Sequence, residues 1–148
     1  MKTIFDKATR DDLISRIKTL DENSKAAWGS MNVYQMLKHC TLAEEMYLGK
    51  KKYKRVFLGR LIGKLALKNL LKDESPMGRN APTSADFKVK ENSGDVSSEK
   101  AKWIALMEEY AHFSNPGLVH WFFGKMTREQ VGCFVYKHTD HHLRQFNS

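Results

Sequence analysis

Three histidines stand in one short run, Lys137-His138-Thr139-Asp140-His141-His142-Leu143-Arg144-Gln145. His138 and His142 are four residues apart. On a helix such a pair lies one side chain above the other, with Cβ atoms about 5–6 Å apart. Two imidazoles at that spacing can grip one divalent cation, and a third would complete a site with an open coordination position. His39 is the candidate for the third, because it sits in the middle of an otherwise apolar helix face. The same pair also arises without metal, as histidines at a core edge bonded to backbone, and spacing alone does not separate the two. A neutral imidazole is costly to bury unsatisfied, so three on inward faces call for a partner.

The other histidines carry weaker signals. His120 opens an aromatic loop, Leu118-Val119-His120-Trp121-Phe122-Phe123-Gly124. It is either a packed loop residue or a catalytic group near the metal, donating to substrate or bound water. His141 lies at the margin of the His138/His142 face, as a solvated residue or a second catalytic group. His112 ends a helix, where a cation suits the negative end. Cys40 follows His39 but points about 100° away and is not read as a ligand. Glu44-Glu45 reads as a solvated helix face. The sequence has no glycine-rich phosphate loop, nucleophile elbow or CxxC pair.

Four main helices must position these residues. The first runs from about Thr9 to Asp21, with Leu13, Ile14, Ile17 and Leu20 as its stripe. The second lies between an Asn32/Gln35 capping box and Gly49, and Met36, His39, Leu42, Ala43 and Met46 share one face. Another runs from about Ser98 to His112, carrying Trp103, Leu106, Met107 and Tyr110, and Ser114-Asn115-Pro116-Gly117 breaks it. The last opens on the capping box Thr127/Gln130 and continues to about Phe146. On it Val131, Val135, His138 and His142 line one face, flanked by Phe134 and Gln145, while Lys137, Asp140 and Arg144 point away. No stretch shows strand alternation. The expectation is one all-α domain over residues 1–148, a four-helix bundle with a long crossover, Asp73 to Gly94, preceded by an extra amphipathic helix from about Lys54 to Leu71.

The net charge is +8, from 25 basic and 17 acidic residues. Nine of the basic residues fall between Lys50 and Lys72, a span with no acid, which leaves 25 − 9 = 16 basic against 17 acidic elsewhere. The charge therefore belongs to one element rather than to a nucleic-acid-binding surface, and exposed aromatics for base stacking are missing apart from Tyr53. The extra helix carries Phe57, Leu58, Leu61, Ile62, Leu65 and Leu71 on one side and Arg60, Lys64, Lys68 and Lys72 on another. Its apolar side is expected to pack on the bundle; an amphipathic basic helix can also lie on an anionic membrane or an acidic partner. The composition, 41% hydrophobic and 28% charged, is that of a soluble globular protein. No secretory signal or transmembrane segment is read from the sequence. Cys40 and Cys133 read as free thiols, and a cytoplasmic location is expected.

These residues resemble the DinB-like superfamily. The resemblance rests on Trp28-Gly29-Ser30-Met31-Asn32 leading to Gln35-Met36-Leu37-Lys38-His39, and on the closing His138-x-x-His141-His142-x-Arg144-Gln145. Within it the chain is most similar to an uncharacterised branch, through Arg79-Asn80-Ala81-Pro82-Thr83, Phe122-Phe123-Gly124-Lys125 and Tyr136 to Phe146. The resemblance implies a four-helix bundle with His39, His138 and His142 as metal ligands; His141 and Arg144 match motif positions without an agreed role. Two departures stand out: Leu143 and no glycine near Arg144, and Trp121 where a proline is expected after His120. Zinc or nickel is the expected ion, with iron and manganese also suited to imidazole. The implied activity is thiol-dependent, S-transferase-like chemistry on a small-molecule substrate with a low-molecular-weight thiol. The alternatives are a metal-dependent hydrolase, or a non-enzymatic binding module using segment 50–72. A homodimer is an expectation.

Overall fold

Helix α2, Val33–Tyr47, is apolar on more than one side and takes the centre of the molecule. The computed structural model describes residues 1–81, 83–115 and 117–148. Pro82 and Pro116, read above as parts of the crossover and of a helix break, lie outside the described residues. Among the described residues the chain forms five α-helices, short 3₁₀ turns and one small hairpin, and is all-α in class.

Helix α1 spans Lys7–Thr19 and begins earlier than the apolar stripe suggests, because the Asp6 side chain accepts from the Thr9 N–H and caps it. The Asn32/Gln35 box starts α2 as expected. Helix α4, Val96–Glu108, is capped by Asp95 and runs on as a 3₁₀ turn, Glu109–His112. Helix α5, Arg128–Gln145, starts at the Thr127/Gln130 box. Helices α1 and α2 each pack against both α4 and α5. Trp103, Met107 and Tyr110 from the α4 segment fill the space beside α2 and are buried. A large apolar side chain so buried contributes about 1.5–3 kcal/mol.

Three expectations are corrected. Glu44 is not a solvated residue: it is fully buried, accepts from the Tyr110 hydroxyl, and faces Thr139, because α2 has α4 on one side and α5 on another. Lys137 and Asp140 are also buried, although Arg144 is exposed. Lys137 donates to the carbonyls of Leu70 and Asp73 at 2.7 and 2.9 Å. Asp140 accepts from Arg16 at 2.8 Å and Arg144 at 2.6 Å, tying α5 to α1.

The third correction concerns α3, Phe57–Leu70. Its buried residues are Gly59, Gly63 and Leu67, and its apolar stripe faces outward. The reason is close approach: the Phe122 carbonyl lies where a Cβ at Gly59 or Gly63 would sit, so the glycine side alone can come this near. That carbonyl belongs to the aromatic loop, which folds into a hairpin, β1 Val119–His120 against β2 Gly124–Lys125, with His120 opposite Gly124. The strands are too short for any alternation to show in the sequence. The crossover then returns along α2, held by Asn32 and Gln35 to Asn92 and by Lys38 to Glu91 at 2.8 Å. Among the described residues no helix is long and apolar enough to cross a membrane.

Candidate metal centre

His39 projects from the second turn of α2, and His138 and His142 from successive turns of α5. The packing of α2 on α5 brings the three rings together. Ring centroids are 4.9 Å apart for His39 and His142, 4.8 Å for His138 and His142, and 5.5 Å for His39 and His138. One ring nitrogen from each lies within 4.8 Å of the others. His39 and His142 are buried, while His138 is only partly so, which leaves the group one side toward solvent.

Hydrogen bonds set which nitrogens are free. Nδ1 of His39 lies 2.9 Å from the Phe87 carbonyl. A carbonyl only accepts, so Nδ1 carries the proton and Nε2 keeps its lone pair. Phe87 closes the 3₁₀ turn Ala85–Phe87 in the crossover. Nδ1 of His142 lies 2.9 Å from Oε1 of Gln145. The Gln145 amide is oriented by its other end, where Nε2 donates to the Trp28 carbonyl at 2.8 Å. His142 therefore also donates through Nδ1 and presents Nε2. The buried Nδ1 of His138 has no hydrogen-bond partner among the described residues. An orphan of this kind costs about 1–3 kcal/mol, a cost met at sites built for something else to bind.

Burial holds all three rings below the usual imidazole range: His142 is lowered to about 3, His39 is lowered against the opposing pull of the Phe87 carbonyl, and His138 lies well below. After burial, the neighbouring rings are the next cause for His138 and His142. At neutral pH the cluster is three uncharged imidazoles, the form that binds a metal. Donor set, tautomers and convergence all fit one divalent ion.

His120 and His141 are near the cluster without belonging to it. His120 is buried, and its Nδ1 accepts from the N–H groups of Phe122 and Phe123 at 3.1 and 3.2 Å. Its proton is thus on Nε2. Burial pushes its pKa to about 3. Its ring stacks on Phe123 and packs beside Tyr47 and Phe134, both of which also pack against His138. His141 is half-buried, 5.1 Å from the His142 ring and 5.9 Å from Trp28. Burial lowers its pKa, opposed by the Met77 backbone. His112 is exposed. Cys40 points away from the rings toward the Met36 sulfur, and burial raises its thiol well above the usual range.

Two orienting groups were not read from the sequence. The Phe87 carbonyl is backbone, so no residue type announces it. Gln145 had a signal: it follows His142 by three positions on the same helix, where side chains meet. Gly29 belongs with it. At φ +82° it occupies the left-handed region, and a Cβ there would lie 2.6 Å from Gln145 Nε2. Arg79 stacks over Trp28 at 4.3 Å, covering this corner from the crossover. Two surface hollows, one along Lys7, Arg10 and Glu108 and one at Met1, Phe5 and Arg128, share no residue with the cluster.

No curated protein and no solved structure matches the chain. A family model does, over residues 5–148, a span that holds the three rings, the carbonyl and amide that orient them, and the hairpin beside them. The chain belongs to the family described as protein of unknown function DUF1569.

Proposed function

We propose that this chain is a metal-dependent enzyme of the DinB-like type, a single four-helix-bundle domain in which His39, His138 and His142 hold one divalent ion. The observation that carries the reading is the pair of committed tautomers. His39 and His142 each spend Nδ1–H on a fixed acceptor, which leaves Nε2 free, and one ring nitrogen from each of the three histidines lies within 4.8 Å of the others. A ligating histidine whose other nitrogen is fixed in this way is the usual arrangement of a protein metal site. The mutual packing of α1, α2, α4 and α5, with α3 set outside it on the hairpin, supports the bundle-with-crossover assignment.

Held by His39, His138 and His142, a divalent ion would keep its full charge and would lower the pKa of a bound thiol or water. The cluster contains no carboxylate. That favours a thiol, which needs little help from a general base, over water attack, and we assign thiol-dependent S-transferase-like chemistry on a small electrophile. The protein's own groups do the rest. Phe87 and Gln145 hold the ring planes, while Phe87, Tyr47 and Phe134 keep water from the inner side. His120 stays neutral through the working pH range, so its role is a fixed Nε2–H donor that orients substrate. His141, nearer solvent, is the group placed to exchange a proton.

The test is elemental analysis of protein made without an affinity tag, followed by a panel of thiols with electrophiles and of ester and amide substrates. Stoichiometric metal, lost in His39→Ala and His142→Ala together with thiol-dependent turnover, is expected. Metal-free protein that reloads with none of zinc, nickel, iron or manganese would end the proposal. Turnover of the esters or amides alone would move it to a hydrolase.

A further inference from the structure

Helix α3 is turned with its apolar residues to solvent. Phe57 is 75% exposed, Leu61 66%, Leu65 62%, Leu58 56% and Ile62 44%; among the described residues the other large exposed apolar residues, Met1 and Val119, lie outside this helix. At about 100° per residue the five cover an arc of about 140° on one helix. A patch of this kind on an otherwise ordinary surface marks a contact site. The helix cannot roll over to hide it. Gly59 and Gly63 rest on the Phe122 carbonyl, Arg55 donates to the Gly59 carbonyl at 2.8 Å, and Lys137 holds the C-terminal end.

Charge decides what covers it. Lys50 to Lys72 holds nine cations and no acid. Lys50 and Lys51 pair with Glu109 and Glu45, and Lys72 approaches Asp73. Among the described residues Lys52, Lys54, Arg60 and Lys68 make no ion pair and are exposed, and Lys64 spends its ammonium on a carbonyl without losing charge. Arg60, Lys64 and Lys68 run as a ridge along one border of the apolar arc. A second copy placed face to face would bring together two basic segments with no acid in either. A flat, uniformly anionic and deformable surface meets both halves at once: cations reach headgroups while Phe, Leu and Ile enter the acyl boundary.

We propose that α3 docks this protein on anionic lipid bilayers, lying in the plane of the interface with Phe57, Leu61 and Leu65 inserted.

The full chain is spun down with vesicles of phosphatidylcholine containing about 30% phosphatidylglycerol, and with phosphatidylcholine alone, at about 50 and about 300 mM salt. Binding to the anionic vesicles at low salt is expected, weakened about tenfold at high salt and absent from the neutral vesicles. Leu61→Ser with Leu65→Ser leaves charge and core untouched and should lower partitioning about tenfold or more. Lys64→Gln with Lys68→Gln should weaken it while leaving circular dichroism unchanged. No binding at low salt overturns the proposal. So does equal binding by the serine variant, which would reduce the effect to net charge. A dimer in light scattering that the serine variant dissolves overturns it too, giving the face to a second copy.

Discussion

Replacing Gln145 with alanine tests the proposed metal site at a residue outside the three-histidine cluster that acts on it only through His142. Two side-chain bonds disappear, the acceptor for His142 Nδ1–H at 2.9 Å and the donor to the Trp28 carbonyl at 2.8 Å. The backbone bond from Ala27 N–H to the Gln145 carbonyl, 2.7 Å, survives any substitution here. His142 then loses what fixes its tautomer and ring plane, although all three imidazoles remain. Loss of such an outer partner costs about 10–100-fold in metal affinity, about 1.4–2.7 kcal/mol. Competition against a chelator of known affinity reads this directly and needs no knowledge of the substrate.

Gln145→Glu separates orientation from packing. It keeps an acceptor for His142, and as an anion makes that imidazole more basic, while giving up the donor to Trp28. Affinity should return most of the way. Gly29→Ala should act in the same direction as Gln145→Ala, because its Cβ has to displace the amide, and the two effects should fail to add in the double variant. Metal affinity within about twofold of the parent in Gln145→Ala, or an equal fall in Gln145→Glu, refutes the orienting role.

Glu44 is raised from 4.5 to about 7 by burial. Its stabilising contribution is complete below about 4.5 and is lost as pH rises through 7, so Glu44→Gln should raise stability at pH 8, by up to about 3 kcal/mol, and change little near pH 4.5 in urea titrations. His120 has the opposite sign: its folded value of about 3 lies below the ordinary 6.5. The neutral ring is favoured in the fold, so stability is full above about 6.5 and falls toward 3; His120→Phe should flatten the acid limb of the stability profile, by about 2 kcal/mol at pH 5, against a loss of the two loop bonds that is the same at every pH. Gly63→Val should cost about 1–3 kcal/mol in thermal or chemical unfolding because its Cβ meets the Phe122 backbone and one of the two has to shift, whereas Gly78→Ala, with open space around it, should be neutral. Chelator should lower the melting temperature of the metal-loaded protein and leave His39→Ala unaffected, as mass action on a folded-state site requires.

The helices of the core were readable because each carries apolar residues at helical spacing, and α2 and α5 also carry capping boxes. The boxes Asn32/Gln35 and Thr127/Gln130 stand where the sequence places them. The i,i+4 spacing of His138 and His142 and the lone His39 on an apolar face carried the cluster itself. What the pattern could not give is which apolar face is inside. On α3 the largest side chains point out because a smaller surface packs closer, and only the partner backbone reveals that Gly59 and Gly63 are the contact. Glu44 was misread for a related reason: a helix touched by α4 and by α5 has little polar side to spare, so a carboxylate there ends up buried with a tyrosine hydroxyl. The orienting carbonyl of Phe87 depends on where a long crossover returns, and periodicity says nothing about that.

The same stretch of hairpin backbone serves two sites. At Phe122 the carbonyl is the surface on which Gly59 and Gly63 of α3 rest, and the N–H of Phe122, with that of Phe123, donates to His120 Nδ1. His120 in turn packs against Tyr47 and Phe134, which flank His138. A load on α3 therefore has two ways to be absorbed. Either the helix lifts from the hairpin, at the cost of the glycine contacts and the Arg55 bond, or residues 122–123 move and take His120 with them. The first leaves the three-histidine cluster untouched; the second moves the ring that packs on Tyr47 and Phe134, which flank His138. The hydrogen bonds on the His120 side are ordinary in length and both end on one nitrogen, while the α3 side is steric, so the stiffer contact is the one with the helix and displacement passes inward. Gly63→Val distinguishes the routes: a shift of the His120 ring resonances with intact metal affinity marks the inward path, and unchanged resonances with a lost helix signal mark the outward one.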